Sequence, residues 1–466
     1  MFNIETEAWD ATPEAVRNII IKIAEELSAT YHVLASEREN QSKIIEAQIA
    51  ENSHMITQLN EQIDILRQQH NEVHIFTSKL SSAIKRHRFN NTKKEKQIVL
   101  VSDNPTARLA KIAYGLTQAD WDVILLHKNK LEFDKSFFST IYQYSSAEEA
   151  VTLAALFNPV TYHVFSSWSY ETAIQLIDAN VGKITFDNYD QFGGMMLPKW
   201  KDNEYYIKLI DQEKYCLENA TGICNRALSL QLAKKELHYK ITKKQIFFPD
   251  YCWDKSFDLK PKRTDGIHLV FPGTFPIEQF NASPSLGIFD KEFIESLSAC
   301  NIHYHLYPPI SMYGDEEGFK ARYKDFIELS EVNPFFHIHQ FVPPEELISE
   351  ISQYHVGISS HSTLAFQIGD STYNPSAMKY FCANKAFDFL DAGLDVIFGA
   401  SKLMEWLLKR NVHCQGAFSN EIAILLKNKS MNDYTGDDFN TRISEGRKKL
   451  SVKRNIPRLI SFYESL

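Results

Sequence analysis

The sequence predicts an α/β protein: a helical arm followed by two βα domains, each built on a parallel sheet. Three observations carry this. Between Ile45 and Ile84 apolar residues recur at alternating spacings of three and four, the heptad pattern of a long helix. From residue 97 onward, short aliphatic runs alternate with helical stretches, which is the βαβ pattern of a parallel sheet. A second such series opens at Ile267, after a stretch rich in Lys, Asp and Pro at 254–266 that reads as a boundary. The 466 residues suffice for two or three separate cores.

Residues 1–95 are expected to be helical. Thr12 suits an N-cap and Pro13 the first turn. Ile19, Ile20, Ile23 and Leu27 form one stripe. Ile49, Ile56, Ile63, His70, Thr77 and Ile84 then share one heptad position, and Ile45, Asn52, Leu59, Leu66, Val73 and Leu80 share the other. This favours a two-stranded parallel coiled coil and hence a homodimer, with Asn52, His70 and Thr77 fixing register. The alternative is a helix that packs its stripe on its own globular domain. Lys85, Arg86, His87, Arg88, Lys93, Lys94 and Lys96 follow. They read as a solvated linker or, alternatively, as a peripheral contact with anionic lipid.

The formal net charge of −9 argues against nucleic acid as a partner. Cys216, Cys224, Cys252, Cys300, Cys382 and Cys414 include no Cys-x-x-Cys pair, so no zinc or redox motif is expected, and their scatter fits a reducing cytosol. The first ten residues carry no positive charge or apolar signal core, and no run is long and apolar enough to span a bilayer. A cytoplasmic protein is expected, with the inner membrane face as the place for the basic strip.

The first βα domain is assigned to 96–253. Ile98, Val99, Leu100 and Val101 form its first strand, 107–118 a helix and 121–126 the next strand. The dinucleotide-binding glycines are missing, so no cofactor loop is read here. Further strands are expected at 161–165 and 183–186. Asp187 and Asp190 follow the latter, at the edge where open α/β sheets bind ligands. Either suits a general base, although Asp and Asn also favour plain turns.

The second βα domain is assigned to 254–434. Gly273 and Thr274 follow its first strand, where glycine lets a ligand approach the backbone or simply makes a turn. Strands are expected at 303–307, 335–341 and 355–360. A long loop, 361–383, carries Asn374, Lys379 and Tyr380 and reads as functional by its length. It leads into residues 384–399, expected to form a helix, a stop at Gly393 and a buried strand. Asn384 and Lys385 sit at the helix start, where free N–H groups and the helix dipole favour an anion. Asp388 lies one turn on. A cation and a carboxylate so spaced suit a diphosphate and a ribose, or merely an exposed ion pair. Residues 435–466 are expected to be helical and to break at Pro457.

The run Asn384-Lys385-x-Phe387-Asp388-Phe389-Leu390-x-Ala392-Gly393-Leu394-x-Val396-Ile397 resembles the nucleotide-sugar-binding helix of GT-B glycosyltransferases, especially the group 1 set. There the pattern is Asn-Lys-x-x-Glu-aromatic and then Ala-Gly-Leu-Pro-Val-Ile. Asp388 stands where that pattern has Glu, and Asp395 where it has Pro. Residues 187–190 resemble the Tyr-Asp-x-x-Asp loop of some GT-B acceptor domains, and 220–230 the strand and turn that close such domains. The resemblance implies two Rossmann-like domains facing a cleft, with an acceptor domain at 96–253 and a donor-nucleotide domain at 254–434. It also implies terminal helices, 435–466, that cross back to the acceptor domain. The activity implied is transfer of a sugar from a nucleoside-diphosphate sugar to a hydroxyl of a glycan, lipid-linked or protein acceptor, as in surface-glycan synthesis. Neither a tightly bound cofactor nor a metal is expected. Lys385 would neutralise the diphosphate, Asn384 would hydrogen-bond it and Asp388 would hold the ribose. Gly273, Thr274, Lys379 and Tyr380 would line the donor site, and Asp190 or Asp187 would act as base. A nucleotide-sugar epimerase, or a coiled-coil scaffold with a degenerate body, are the alternatives. No acid precedes the motif at Phe381 and its neighbours, so a retaining or inverting course is not fixed.

Overall fold

The computed structural model describes the chain except residues 1–13, 89–94, 132, 167, 196–202, 229, 237, 276, 278–279, 282–286, 360–366, 369–370, 373–378, 400, 410–411, 413–414 and 417–418. It divides into two compact units, 1–78 and 79–466.

The first unit is helical. It belongs to α1 (Glu14–Arg88), a continuous helix of 75 residues. The Thr12–Pro13 cap, the side chains of Leu66 and His70 and all those beyond it in α1 lie outside the described residues. Ile45, Ile49, Ile56, Leu59 and Ile63 are 44–60% exposed. The apolar row is therefore open in the single chain, not covered as it would be in a globular core.

The second unit holds two parallel sheets. The first runs in the order β3-β2-β1-β4-β5-β6-β7. Its strands are β1 (Gln97–Ser102), β2 (Asp122–His127), β3 (Thr140–Gln143), β4 (Thr161–Ser166), β5 (Ile184–Asn188), β6 (Gly222–Asn225) and β7 (Lys244–Phe247). The second runs β10-β9-β8-β11-β14-β15. Its members are β8 (Ile267–Pro272), β9 (Ile302–Tyr307), β10 (Phe336–Ile338), β11 (Val356–Ser359), β14 (Asp395–Phe398) and β15 (Gln415–Gly416). A two-residue hairpin, β12 (Gln367–Ile368) and β13 (Ser371–Thr372), lies between β11 and β14 in the chain. β1 and β8 are buried along their whole length, which is why they read as unbroken apolar runs. Both sheets reverse strand order beside their first strand, β1 or β8. Open α/β sheets bind ligands at such switch points, outside the carboxyl ends of the strands.

Four further helices bear on the site: α2 (Ala107–Gln118), α3 (Asn384–Asp391), α4 (Asp437–Lys449) and α5 (Val452–Ser465). α5 packs on α2 of the first sheet's layer. Val452 and Ile456 press so closely on Gly115 that a Cβ there would stand 2.9 Å from Val452 Cγ2. Tyr463 reaches His163 on β4 (2.5 Å). The chain thus returns to the first sheet, but it turns elsewhere than the sequence indicates. Pro457 lies inside the continuous α5. The turn falls at Leu450–Ser451, where Ser451 Oγ caps α5 by accepting from Arg454 N, and Ser451 bridges Cys252. No helix among the described residues is long and apolar enough to cross a membrane.

Candidate active site

α3 is amphipathic. Ala386, Phe387, Phe389 and Leu390 are buried on the second sheet, and Gly393, at φ +69°, stops the helix in a conformation costly to other residues. Gly357 of β11 has no side chain, so the Phe389 ring lies directly on that strand. This close packing carries the start of α3 to the carboxyl edge of β8. No side chain caps that start.

Lys385 crosses Gly273 there. A Cβ on Gly273 would lie 2.6 Å from Lys385 Nζ, and Gly273 has φ +133°. The ammonium lies 4.8 Å from the centre of the Phe271 ring. Among the described residues the Lys385 ammonium makes no hydrogen bond or ion pair. Burial pushes its pKa down to about 8; nearby Asp388 opposes the shift and the Arg226 charge adds to it. A desolvated cation beside a bare glycine and an uncapped helix start suits a phosphate. Thr274 follows, exposed.

Asn384 faces the first sheet. With its amide oxygen accepting from Tyr189 Oη (2.6 Å), its nitrogen donates to Asp250 Oδ1 (3.2 Å). Asp250 also ion-pairs with Arg226 Nε (3.0 Å) and Arg108 Nη1 (3.4 Å). Arg226 Nη1 holds Asp190 (3.1 Å), its Nη2 donates to the Cys382 carbonyl just before α3, and its guanidinium stacks 4.3 Å from the Tyr189 ring centre. Two guanidiniums and three carboxylates thus form one network, Asp187–Arg108–Asp250–Arg226–Asp190. Its ends differ. Asp190 is 24% exposed, whereas Asp187 is fully buried. Burial alone would raise the Asp187 pKa. Arg108 (3.0 Å) and His163 (3.0 Å) outweigh it and hold the carboxyl at about 2.

Asp388 meets Lys111 of α2 at 2.7 Å, with 22% of its side chain exposed. It therefore pairs across the two sheets and not with Lys385. One turn on, the buried Asp391 accepts from Trp253 N (2.8 Å) and pairs with Arg447 of α4 (3.0 Å). Beside Asp388 lies an open cavity of about 310 Å³ lined by Thr106, Ala107, Phe137, Trp253 and Lys255. Lys379 and Tyr380 are exposed on the approach to α3. Their carbonyls accept from Leu403 N (3.2 Å) and Leu228 N (3.3 Å).

The structure therefore brings together Gly273, Asn384 and Lys385, with Thr274 adjoining, and joins Asn384 through Asp250 and Arg226 to Asp190. Asp187 lies in the core at the far end of the network. Arg108, Lys111, Tyr189, Arg226 and Asp250 are connecting residues that sequence reasoning passed over. Arg108 and Lys111 did leave a signal, since two cations one turn apart interrupt the otherwise apolar face of α2.

The chain has the GT-B fold. It superposes on sucrose-phosphate synthase from Thermosynechococcus elongatus with a TM-score of 0.51 at 12% identity, covering 79% of this chain and 98% of that one. A UDP-forming α,α-trehalose-phosphate synthase from Burkholderia xenovorans, in complex with glucose-6-phosphate, superposes with a TM-score of 0.52 at 8% identity, covering 79% and 100%. The trehalose 6-phosphate synthase of Burkholderia multivorans gives 0.50 at 8% identity, covering 79% and 96%. No family model matches the chain, and no curated protein matches it by sequence.

Proposed function

We propose that this protein is a glycosyltransferase that moves a sugar from a nucleoside-diphosphate sugar to an acceptor hydroxyl. The observation that carries the reading is Lys385, desolvated and, among the described residues, without an ion pair of its own, lying across Gly273 at the uncapped start of α3. The UDP-forming synthase of like fold supports the same donor class.

In this reading residues 254–434 bind the donor, 96–253 the acceptor, and 435–466 tie the two. As the bond from the anomeric carbon to the diphosphate breaks, its electron pair leaves with the diphosphate. Lys385 and the α3 N–H groups stabilise that growing charge. Asn384 orients the helix start. Asp388 accepts from a ribose hydroxyl with the oxygen that Lys111 leaves open. Thr274, Lys379 and Tyr380 border the donor. Asp190, positioned by Arg226, takes the acceptor proton as the new glycosidic bond forms. Asp187 supports this from the core, through Arg108 and Asp250. The arm pairs two copies, and its basic end places them at the cytoplasmic face of a membrane for surface-glycan synthesis.

The test is a thermal-shift panel of nucleoside diphosphates, followed by product analysis with the labelled sugar of the best one. Stabilisation by one diphosphate and sugar appearing on an acceptor are expected. A labelled sugar recovered only as its epimer, or no stabilisation by any diphosphate, contradicts the proposal.

A further inference from the structure

Trp168, just past β4, holds a backbone conformation that its side chain disfavours, with φ +62°. The other non-glycine residues of positive φ among those described are Asp120, Asn180, His238 and Asn301, types that enter this region several-fold more readily. A bulky residue there is strained. Such strain persists only where the surroundings impose it, and it gathers at ligand sites. It does not serve to bury the ring here, because Trp168 is 40% exposed.

Register places Trp168 beside the proposed base. β4 pairs with β5 so that Ser166 stands opposite Asn188. Trp168 and Asp190 are each the second residue beyond that pair, at the carboxyl ends of neighbouring strands. The Trp168 ring also meets Phe192, with ring centres 4.8 Å apart and planes 80° from parallel.

Both turns are tied down by carboxyl groups. Glu213, fully buried on the helix Glu204–Asn219, accepts from Phe192 N (2.5 Å) and Gly193 N (2.9 Å). It also accepts from Tyr170 Oη (3.4 Å), two residues past Trp168. Asp103, just past β1, accepts from Ser169 Oγ and Thr172 Oγ1, both at 2.8 Å. The Trp168 turn and its Phe192 seat are therefore fixed before a ligand arrives, which lowers the ordering cost of binding.

We propose that Trp168 is a stacking platform for a pyranose ring of the acceptor, so that the acceptor is a sugar whose hydroxyl is presented to Asp190. This rests on the reading of Asp190 as the base. The face of an aromatic ring is electron-rich. Axial C–H bonds gather on the faces of a pyranose and are weakly positive and apolar. The sugar ring therefore lies on the indole while its equatorial hydroxyls point outward, where one can reach Asp190. Among the described residues the indole N–H has no hydrogen-bond partner and is open to a sugar oxygen. A hydroxyl on a protein side chain brings no such ring face. The platform thus selects a glycan, free or lipid-linked, over a protein acceptor.

The test uses the full chain and two readouts. Saturation-transfer NMR with the methyl pyranosides of glucose, galactose, mannose and N-acetylglucosamine reports sugar binding, with sorbitol, an open-chain polyol, as control. Calorimetry with nucleoside diphosphates reports donor binding. At least one pyranoside should bind, with transfer strongest at its ring C–H protons, and sorbitol should not. Trp168→Ala should weaken pyranoside binding roughly tenfold or more, and Trp168→Phe, which keeps an aromatic face, by less. Both variants should keep the parent's diphosphate affinity. Equal pyranoside binding in Trp168→Ala, an equal response to sorbitol, or no pyranoside binding in a chain that binds a diphosphate would overturn the platform and leave the donor reading standing. Pyranoside binding that requires Trp168 in a chain that binds no diphosphate would keep the platform and overturn the donor reading. Binding of neither would overturn both.

Discussion

Lys385 Nζ stands where a side chain on Gly273 would have to go, 2.6 Å from the Cβ position. The start of α3 and the end of β8 are therefore fitted to each other at one glycine. Gly273→Ala should displace the ammonium and strain the backbone at φ +133°, at a cost of about 1–3 kcal/mol. Nucleoside-diphosphate affinity should fall roughly tenfold or more, measured by calorimetry. Unchanged affinity would mean that the Lys385 position does not matter for binding.

Lys385 has a pKa of about 8, against an ordinary lysine near 10.5. The free protein loses this charge as pH rises through about 8, while a bound diphosphate holds the proton more tightly. Affinity should therefore fall above pH 8, by up to about tenfold per unit, until the pKa of the complex is reached. Lys385→Met should bind weakly at all pH values and show no such slope. A slope that persists in Lys385→Met would assign the titration to another group.

Asp187 and Asp190 should separate by the kind of damage each substitution does. Asp187→Asn leaves Arg108 buried with a weaker partner, and breaking such pairs costs about 3–5 kcal/mol, read as a lower denaturation midpoint. The Asp187 carboxyl is held at about 2, below its ordinary value of 3.8. Its contribution is thus complete above about pH 4 and lost as pH falls toward 2. Asp190→Asn should spare the fold and lower turnover by roughly 100- to 10,000-fold at unchanged donor affinity. Equal turnover would remove Asp190 from the mechanism.

The main elements of both sheets were legible because buried parallel strands are apolar on both faces, as in Ile98–Val101 and again at 267–272. β3 was not, since Thr140–Gln143 is a short, half-exposed edge. β15 has only two residues. The helix and stop at 384–393 were legible from Phe387, Leu390 and Gly393. The partner of Asp388 was not. Periodicity places Asp388 one turn from Lys385 but says nothing of Lys111, 277 residues away, which it meets instead.

That cross-sheet pair has its own test. Asp388→Ala leaves Lys111, only 4% exposed, without its closest carboxylate. It should lower stability by more than the 0–1 kcal/mol of an exposed pair and weaken nucleotide binding about ten- to a hundredfold. Loss of stability with unchanged affinity would leave Asp388 a purely structural role.

The open row from Ile45 to Ile63 suits a second copy of the helix. Light scattering of the intact chain should give a dimer at micromolar concentration, and removal of residues 1–90 a monomer that still binds nucleotide. A monomeric intact chain would contradict the pairing.

The proposed role of Lys385, at the start of α3, is to bind the diphosphate of a sugar donor. Calorimetric titration of the protein and of Lys385→Ala with the nucleoside diphosphate that stabilises it most tests this directly. One site per chain, weakened at least tenfold in Lys385→Ala, is expected. Equal affinity in the two proteins, or no saturable binding of any nucleoside diphosphate, would contradict it.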